Sequence, residues 1–329
     1  MTNPRPGMDL TILYRGPLAS CDYDCGYCPF AKRRDTPEQL RADRAALRRF
    51  TTWVGEQAGS GDRISILFTP WGEALTRSWY REAMVELSHL PHVNRVAVQT
   101  NLSCRLDWLE QADLDTLALW CTYHPDQVEF DRFLGKHRTL VRQGVRHSVG
   151  IVGQPEHLDA ARRLRAALDP ATYLWVNAAE GRTYSDAEAT QWAEIDELFH
   201  VSRLPHTSLG RACRTGESVI SVDGEGLVRR CHFVSRTDSG EKLGNLYDGS
   251  FREQLRPRPC PLLQCDCHIG YVHMPELALY PVFRNGVLER IPGTRHDASM
   301  PKLSQLQFTR SSSPVHPAPI ASGTWPTPT

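Results

Sequence analysis

Three cysteines, Cys21, Cys25 and Cys28, stand in the stretch CDYDCGYC with the spacing C-x3-C-x2-C. An aromatic residue, Tyr27, directly precedes the third sulfur. Thiolates are soft ligands that favour iron–sulfur clusters or zinc over hard cations. Three of them on one tight loop can hold three irons of a cubane and leave the fourth iron open. An open iron can bind and break a small molecule, which a fully ligated cluster cannot do. A zinc knuckle is the competing reading. Zinc sites, however, usually pair C-x2-C with a second ligand pair in a closed tetrahedron. The nearest further cysteine here is Cys104. A second group, Cys213, Cys231, Cys260, Cys265 and Cys267, appears late in the chain. Cys104 and Cys121 are isolated, and Cys121 lies in an apolar run where a free cysteine behaves as a small hydrophobe.

Composition narrows the setting for this chemistry. The chain has 329 residues, enough for one large domain or two ordinary ones. Its 38 basic and 38 acidic residues cancel, which argues against a general nucleic-acid binder. No apolar run approaches the roughly 20 residues of a membrane span. The N-terminus lacks the apolar core of a secretory signal. Ten cysteines in a chain without such a signal point to metal binding or catalysis in a reducing cytoplasm.

The elements that must position these residues alternate between strand and helix from residue 10 to about 200. LTILYR, RISILF, RVAVQT, LALWCTY, RHSVGIV and TYLWVN read as six β-rich runs. Thr36-Pro37-Glu38-Gln39 opens a helix with a Thr cap, Pro in the first turn and Gln at the capping-box position. Leu47, Phe50 and Val54 then share one helical face. Further helices are predicted near 77–89, 127–143 and 156–168. Ser185-Asp186-Ala187-Glu188 opens the last one. Six β-then-α units in series predict parallel strands with right-handed crossovers. The economical reading is a partial (β/α)6 TIM-like barrel over 9–200, and a doubly wound open sheet is its rival. Chemistry then belongs at the C-terminal strand ends, where the cysteine loop lies. A small cysteine-rich α+β domain is expected over 205–290. It includes a hairpin that turns at Asp223-Gly224-Glu225-Gly226. Residues 297–329 are rich in Pro, Ser and Thr and predict a disordered tail.

The cysteine spacing with its aromatic resembles the cluster loop of the radical S-adenosylmethionine (radical SAM) superfamily. Later motifs follow in the order that this resemblance implies. TPWGEAL, residues 69–75, resembles the glycine-glycine-glutamate-proline motif that binds the SAM amino group. Gly72 and Glu73 match it, while Trp71 and Ala74 replace the first Gly and the Pro. Gln99-Thr100-Asn101 resembles the threonine-asparagine turn, so Asn101 either bonds the cofactor or caps the next element. Thr122-Tyr123-His124-Pro125 puts polar groups where the family contacts ribose or the methionine carboxylate. A lone histidine such as His124 is more often a structural hydrogen-bonder. Val149 to Glu156 resembles the adenine-side motif, matching at Ile151, Gly153 and Glu156. Lys32, Arg33 and Arg34 read as a solvated charge run, and Trp120, Tyr173 and Trp175 as barrel packing.

Cys213 is followed by twelve residues, Gly226, four residues and Cys231. This resembles the opening of the SPASM/twitch extension, which holds auxiliary clusters. Five thiolates suffice for one four-cysteine cubane and cannot complete two. The resemblance therefore implies one auxiliary [4Fe-4S] cluster on Cys213 and Cys231, with Cys260 and one or both of Cys265 and Cys267. A zinc ribbon uses the same thiols. The implied enzyme has an open-iron [4Fe-4S] cluster, S-adenosyl-L-methionine and a one-electron donor such as flavodoxin or ferredoxin. It makes a 5′-deoxyadenosyl radical that takes hydrogen from a substrate. A peptide or natural product is the leading substrate class and a small metabolite the second. Only nine residues precede the first strand, which leaves no room for an N-terminal leader-binding domain. A non-catalytic zinc scaffold is the reading from another class.

Overall fold

Alternation within each apolar strand decides which layer its side chains join. Ile12, Ile66, Val98 and Leu119 pack in the core with Phe50, Met84, Phe133 and Leu164 of the helices. Leu13, Leu67, Ala97 and Ala118, one position away, form a separate cluster with Val219 and Leu288. Both strand faces are thus buried, as in parallel sheets covered on both sides. The computed structural model describes residues 7–30, 33–203, 205–232 and 242–293. The expected tail at 297–329 and Lys32 of the charge run lie outside them.

The first part runs β1 (Asp9–Arg15), α1 (Pro37–Glu56), β2 (Arg63–Phe68), α2 (Ser78–Ser88), β3 (Val93–Thr100), β4 (Leu117–Tyr123), α3 (Phe130–Arg142), β5 (Arg146–Val152), α4 (Leu158–Ala167), β6 (Leu174–Asn177), α5 (Asp186–Ala193) and α6 (Phe199–Ser202). Strands β1 to β6 pair in sequence order, each parallel to the next. Thr36 and Ser185 both close complete capping boxes. The connection from β3 to β4 departs from the β-then-α expectation, since a 3-10 turn, Asp107–Gln111, stands where a helix would cross. Its buried residues, Trp108 and Leu109, are adjacent, so one turn places both in the core.

The cysteine-rich part contains β7 (His206–Thr207), β8 (Ala212–Cys213), β9 (Val219–Asp223), β10 (Leu227–Arg229), β11 (Lys242–Asn245), β12 (Arg258–Pro259), β13 (Gln264–Cys265) and α7 (Leu279–Phe283). Strand β9 pairs in parallel with β1. The sheet therefore continues across the expected boundary near 205, in the order β11-β10-β9-β1-β2-β3-β4-β5-β6. The β9–β10 hairpin turns where expected, with Gly226 at φ 82°, a conformation that glycine adopts without steric cost. Two short antiparallel pairs, β12–β8 and β13–β7, bring the last cysteines back to the start of this part, and Cys213 and Cys265 pack against a cluster that includes Trp120 and Trp175.

The segment after α7 enters the sheet's inner face. Glu289 is fully buried and pairs with Arg95 (3.6 Å) and Arg146 (2.5 Å). Ser148 donates to the Glu289 carbonyl. Trp120 and Trp175 pack there with Tyr271, Val282 and Phe283, in line with their expected packing role. Among the described residues no helix is long and apolar enough to cross a membrane.

Candidate metal and cofactor sites

The loop after β1 is fastened at both ends by side chains. Asp43 of α1 accepts from the Leu18 amide at 3.1 Å and from Trp79 and Tyr80 at 2.7 and 3.1 Å. Asp35 accepts from the amides of Ala19 and Ser20 at 2.9 and 2.8 Å. Beyond Cys21, the Asp24 amide donates to Gln127 at 2.9 Å, and the Cys28 amide donates to the Cys25 carbonyl at 3.1 Å. His124 stands behind the loop, its Nδ1 lying 3.4 Å from Cys25 Sγ and 2.8 Å from the Tyr27 hydroxyl. Burial, followed by the nearby His157, pushes the His124 imidazole down to about 4. His124 thus has one ring nitrogen within reach of both a cysteine sulfur and a phenol of the loop. Asp43 and Gln127 escape motif reading because each acts on the loop from outside it, and Asp35 because it folds back on Ala19 and Ser20 from the loop's far end.

The loop after β2 lies against the same segment. The Gly72 amide donates to Leu18 O at 3.1 Å and the Glu73 amide to Ser20 O at 3.0 Å. A Cβ at Gly72 would stand 2.0 Å from the Ser20 carbonyl oxygen, so this approach admits only glycine. Glu73 is 5% exposed. Its Oε1 accepts from the Leu75 amide at 3.0 Å and Thr100 Oγ1 at 2.8 Å, and its Oε2 from the Asn101 amide at 2.6 Å. These three donors leave one of about four acceptor directions open. Burial lifts the Glu73 carboxyl to about 7 against these bonds. A cation arriving at the open direction reverses that shift.

Asn101 joins the two loops. Its Nδ2 donates to Asp22 at 2.9 Å and lies 3.8 Å from Cys21 Sγ. Its Oδ1 accepts from the Ser103 amide at 2.9 Å. Cys21 itself is pushed up to about 12, chiefly by burial, with the Tyr23 amide acting the other way. A bound metal ion reverses such a shift, because it takes the thiolate and releases the proton.

The β5 residues sit differently. Ile151 is fully buried in the core under the helices, beside Val149. Gly153 lies at the strand end, where its amide donates to Asn177 O at 2.7 Å and its carbonyl accepts from Tyr184 at 2.8 Å. Cys121 is fully buried and Cys104 is 7% exposed, both in that same core.

The late cysteines come from separate segments. Burial pushes the Cys265 thiol up, and Cys267, Cys231 and Cys213 are the thiols that act on it most strongly. Thr215 Oγ1 lies 3.2 Å from Cys213 Sγ. A Cβ at Gly270 would stand 3.4 Å from the sulfurs of both Cys265 and Cys267. Cys260 is anchored through its backbone, with its amide on Arg211 O at 2.8 Å and its carbonyl taken by the Gly210 amide at 2.9 Å. Among the described residues, no three His, Cys, Asp or Glu side chains gather tightly enough to hold a single metal ion.

Trp71 links the two cysteine groups. Its ring centroid lies 4.9 Å from that of Phe30, two residues past Cys28, and 4.9 Å from that of His232, the neighbour of Cys231. The Arg15 guanidinium stands 4.4 Å from the Trp71 ring centroid, and its charge favours the Cys267 thiolate.

No family model and no curated relative matches the sequence. Its fold matches that of Streptococcus suis SuiB bound to S-adenosylmethionine, with a TM-score of 0.52 and 13% identity over 74% of this chain and 64% of that chain. A second structure of Streptococcus suis SuiB gives 0.52 and 14% over 74% and 66%. The chain thus spans slightly under two thirds of SuiB, and at this identity the likeness is one of fold. Native anSMEcpe with bound AdoMet gives 0.48 and 12% over 75% and 83%.

Proposed function

We propose that this chain is a radical SAM enzyme that modifies a peptide or another natural product. In this reading Cys21, Cys25 and Cys28 hold a [4Fe-4S] cluster with one open iron, and S-adenosyl-L-methionine binds beside it. The observation that carries the reading is the Glu73 carboxylate. It is buried beside the cysteine loop, held by three donors and left with one acceptor direction. That is an ammonium site at the strand end where the cofactor's amino group belongs. The donor set fits as well: the thiols share one loop, and a cubane spreads them over separate irons rather than one point. A single zinc ion requires the tight convergence that is missing among the described residues.

When bound, the open-iron cluster supplies an electron and S-adenosyl-L-methionine supplies the 5′-deoxyadenosyl group that takes hydrogen from an unactivated carbon. The chain's own residues do the positioning. Glu73 orients the amine. Asn101 ties Cys21 and Asp22 to the end of β3, and His124 fixes Cys25 and Tyr27. Gly153 and the β5 end form the adenine side, where Ile151 contributes as strand framework because its side chain is packed in the core. Cys213 and Cys231 would hold a second [4Fe-4S] cluster together with Cys265 and Cys267, whose thiols act on one another, and Cys260 is the further candidate ligand. The external one-electron donor is of the flavodoxin or ferredoxin type. The SPASM/twitch-like cysteine pattern supports the peptide or natural-product class.

Anoxic reconstitution followed by dithionite and S-adenosyl-L-methionine tests this reading. The expected product is 5′-deoxyadenosine, and Cys25→Ala protein should make none. A colourless protein that binds zinc and releases no 5′-deoxyadenosine overturns it.

A further inference from the structure

Among the described residues, Arg290 is a buried charge in no ion pair. It is 1% exposed. No carboxylate among the described residues pairs with it, and its neighbour Glu289 turns to Arg95 and Arg146 instead. The guanidinium rests among aromatic rings, 4.9 Å from the centroid of Trp120, 5.6 Å from Phe283 and 5.7 Å from Trp175. One nitrogen donates to the Val287 carbonyl and another to the His268 carbonyl at 2.5 Å, while Nε has no partner. Its backbone holds φ 56°, a costly conformation for a long side chain. A guanidinium remains protonated in proteins, so this charge cannot be removed by losing a proton. Ring faces and carbonyls offset part of its desolvation, and a full anion offsets much more.

Three phenols and one thiol act on it most strongly, while Asp196 and Arg214 stand one ring away, on Tyr173 at 2.6 Å and over Tyr280 at 4.4 Å. Tyr173, Tyr271 and Tyr280 are buried phenols, each pushed above its ordinary value by burial first. His268 and His273 lie beside two of these phenols, their ring centroids 6.0 Å from Tyr271 and 5.9 Å from Tyr280 respectively. The thiol that acts on it is Cys267, next to the carbonyl that Arg290 grips. Cys265 and Cys267 are half-buried, and a Cβ at Gly270 would stand 3.4 Å from both sulfurs. A buried guanidinium and thiolates beside it compensate one another where water is largely excluded.

We propose that Arg290 is the built-in counter-charge of the C-terminal thiolate site, balancing the negative charge carried there by an iron–sulfur cluster. This inference rests on reading that site as a cluster site. A cation at this position favours the reduced, more negative cluster, and so raises its reduction potential.

The test uses the full chain carrying Cys21→Ala, Cys25→Ala and Cys28→Ala, so that any remaining cluster belongs to the C-terminal site. Arg290→Met and Arg290→Lys are added separately, and the midpoint potential is read by EPR during redox titration. Arg290→Met should lower the reduction equilibrium constant at least tenfold, about 59 mV for one electron. Arg290→Lys keeps the charge and should stay within about twofold, near 18 mV by the same conversion. An unchanged potential in the Met variant, or equal shifts in both variants, overturns the proposal. If the Met variant does not fold, Arg290→Gln replaces it under the same criterion. Iron and sulfide analysis separates the underlying reading: a reference chain with neither has no cluster. In that case zinc is titrated against the same variants. Binding at least tenfold weaker with Met supports the counter-charge, and equal binding overturns it.

Discussion

The two cysteine groups are assembled in opposite ways. Cys21, Cys25 and Cys28 share one loop, which Asp35 closes from within and Asp43, Asn101, His124 and Gln127 hold from outside. Cys213, Cys231, Cys265 and Cys267 come from segments joined only by tertiary pairing: β8 with β12, β13 with β7, and the β9–β10 hairpin. A local ligand set requires little chain closure, whereas a dispersed one requires most of the fold around it. The first is therefore readable as a motif and tunable by its neighbours. The second depends on the sheet continuing from β1 into β9.

The sharpest way to break this comparison is Cys25→Ala. It should reduce 5′-deoxyadenosine release to background while leaving the C-terminal iron in place, as measured by chromatography and iron analysis. Next comes Cys265→Ala, which should remove about four irons per chain and leave the loop's cluster spectrum intact. Cys260→Ala should remove none. An iron loss in Cys260→Ala equal to that of Cys265→Ala would redraw the ligand set.

Glu73→Gln probes the loop side alone. It should weaken S-adenosyl-L-methionine binding about tenfold, as expected for losing one charged hydrogen bond. The wild-type affinity, measured by calorimetry, should also depend on pH. Below about 7 the raised Glu73 carboxyl is protonated and cannot hold an ammonium. Affinity should therefore rise as pH climbs through that value, with proton release on binding, and Glu73→Gln should abolish the rise. The smallest effect is expected from Gly72→Ala. Its Cβ meets the Ser20 carbonyl, so the loops must part, at about 1–3 kcal/mol of stability read from denaturant unfolding.

Much of the frame was legible before the fold was known. The six β-rich runs, the Thr36 and Ser185 capping boxes and the Asp223–Gly226 turn are local signals, and each appears where the chain predicts it. The β3–β4 connection was less legible, because two adjacent apolar residues carry no helical period. The charge balance of the site was not legible at all. Glu73 reads equally well as a solvated residue until its three donors are seen, and Arg290 carries no motif.

The sequence by itself determined the six β-rich runs, the loop that bears Cys21, Cys25 and Cys28, and the set of late thiols, because these follow from composition and spacing along the chain. Only the tertiary structure decided which late thiols act on Cys265, that Trp71 stands between the two cysteine groups, and that Glu73 and Arg290 are buried. Burial and electrostatic proximity depend on which distant segments meet, and linear spacing does not encode that.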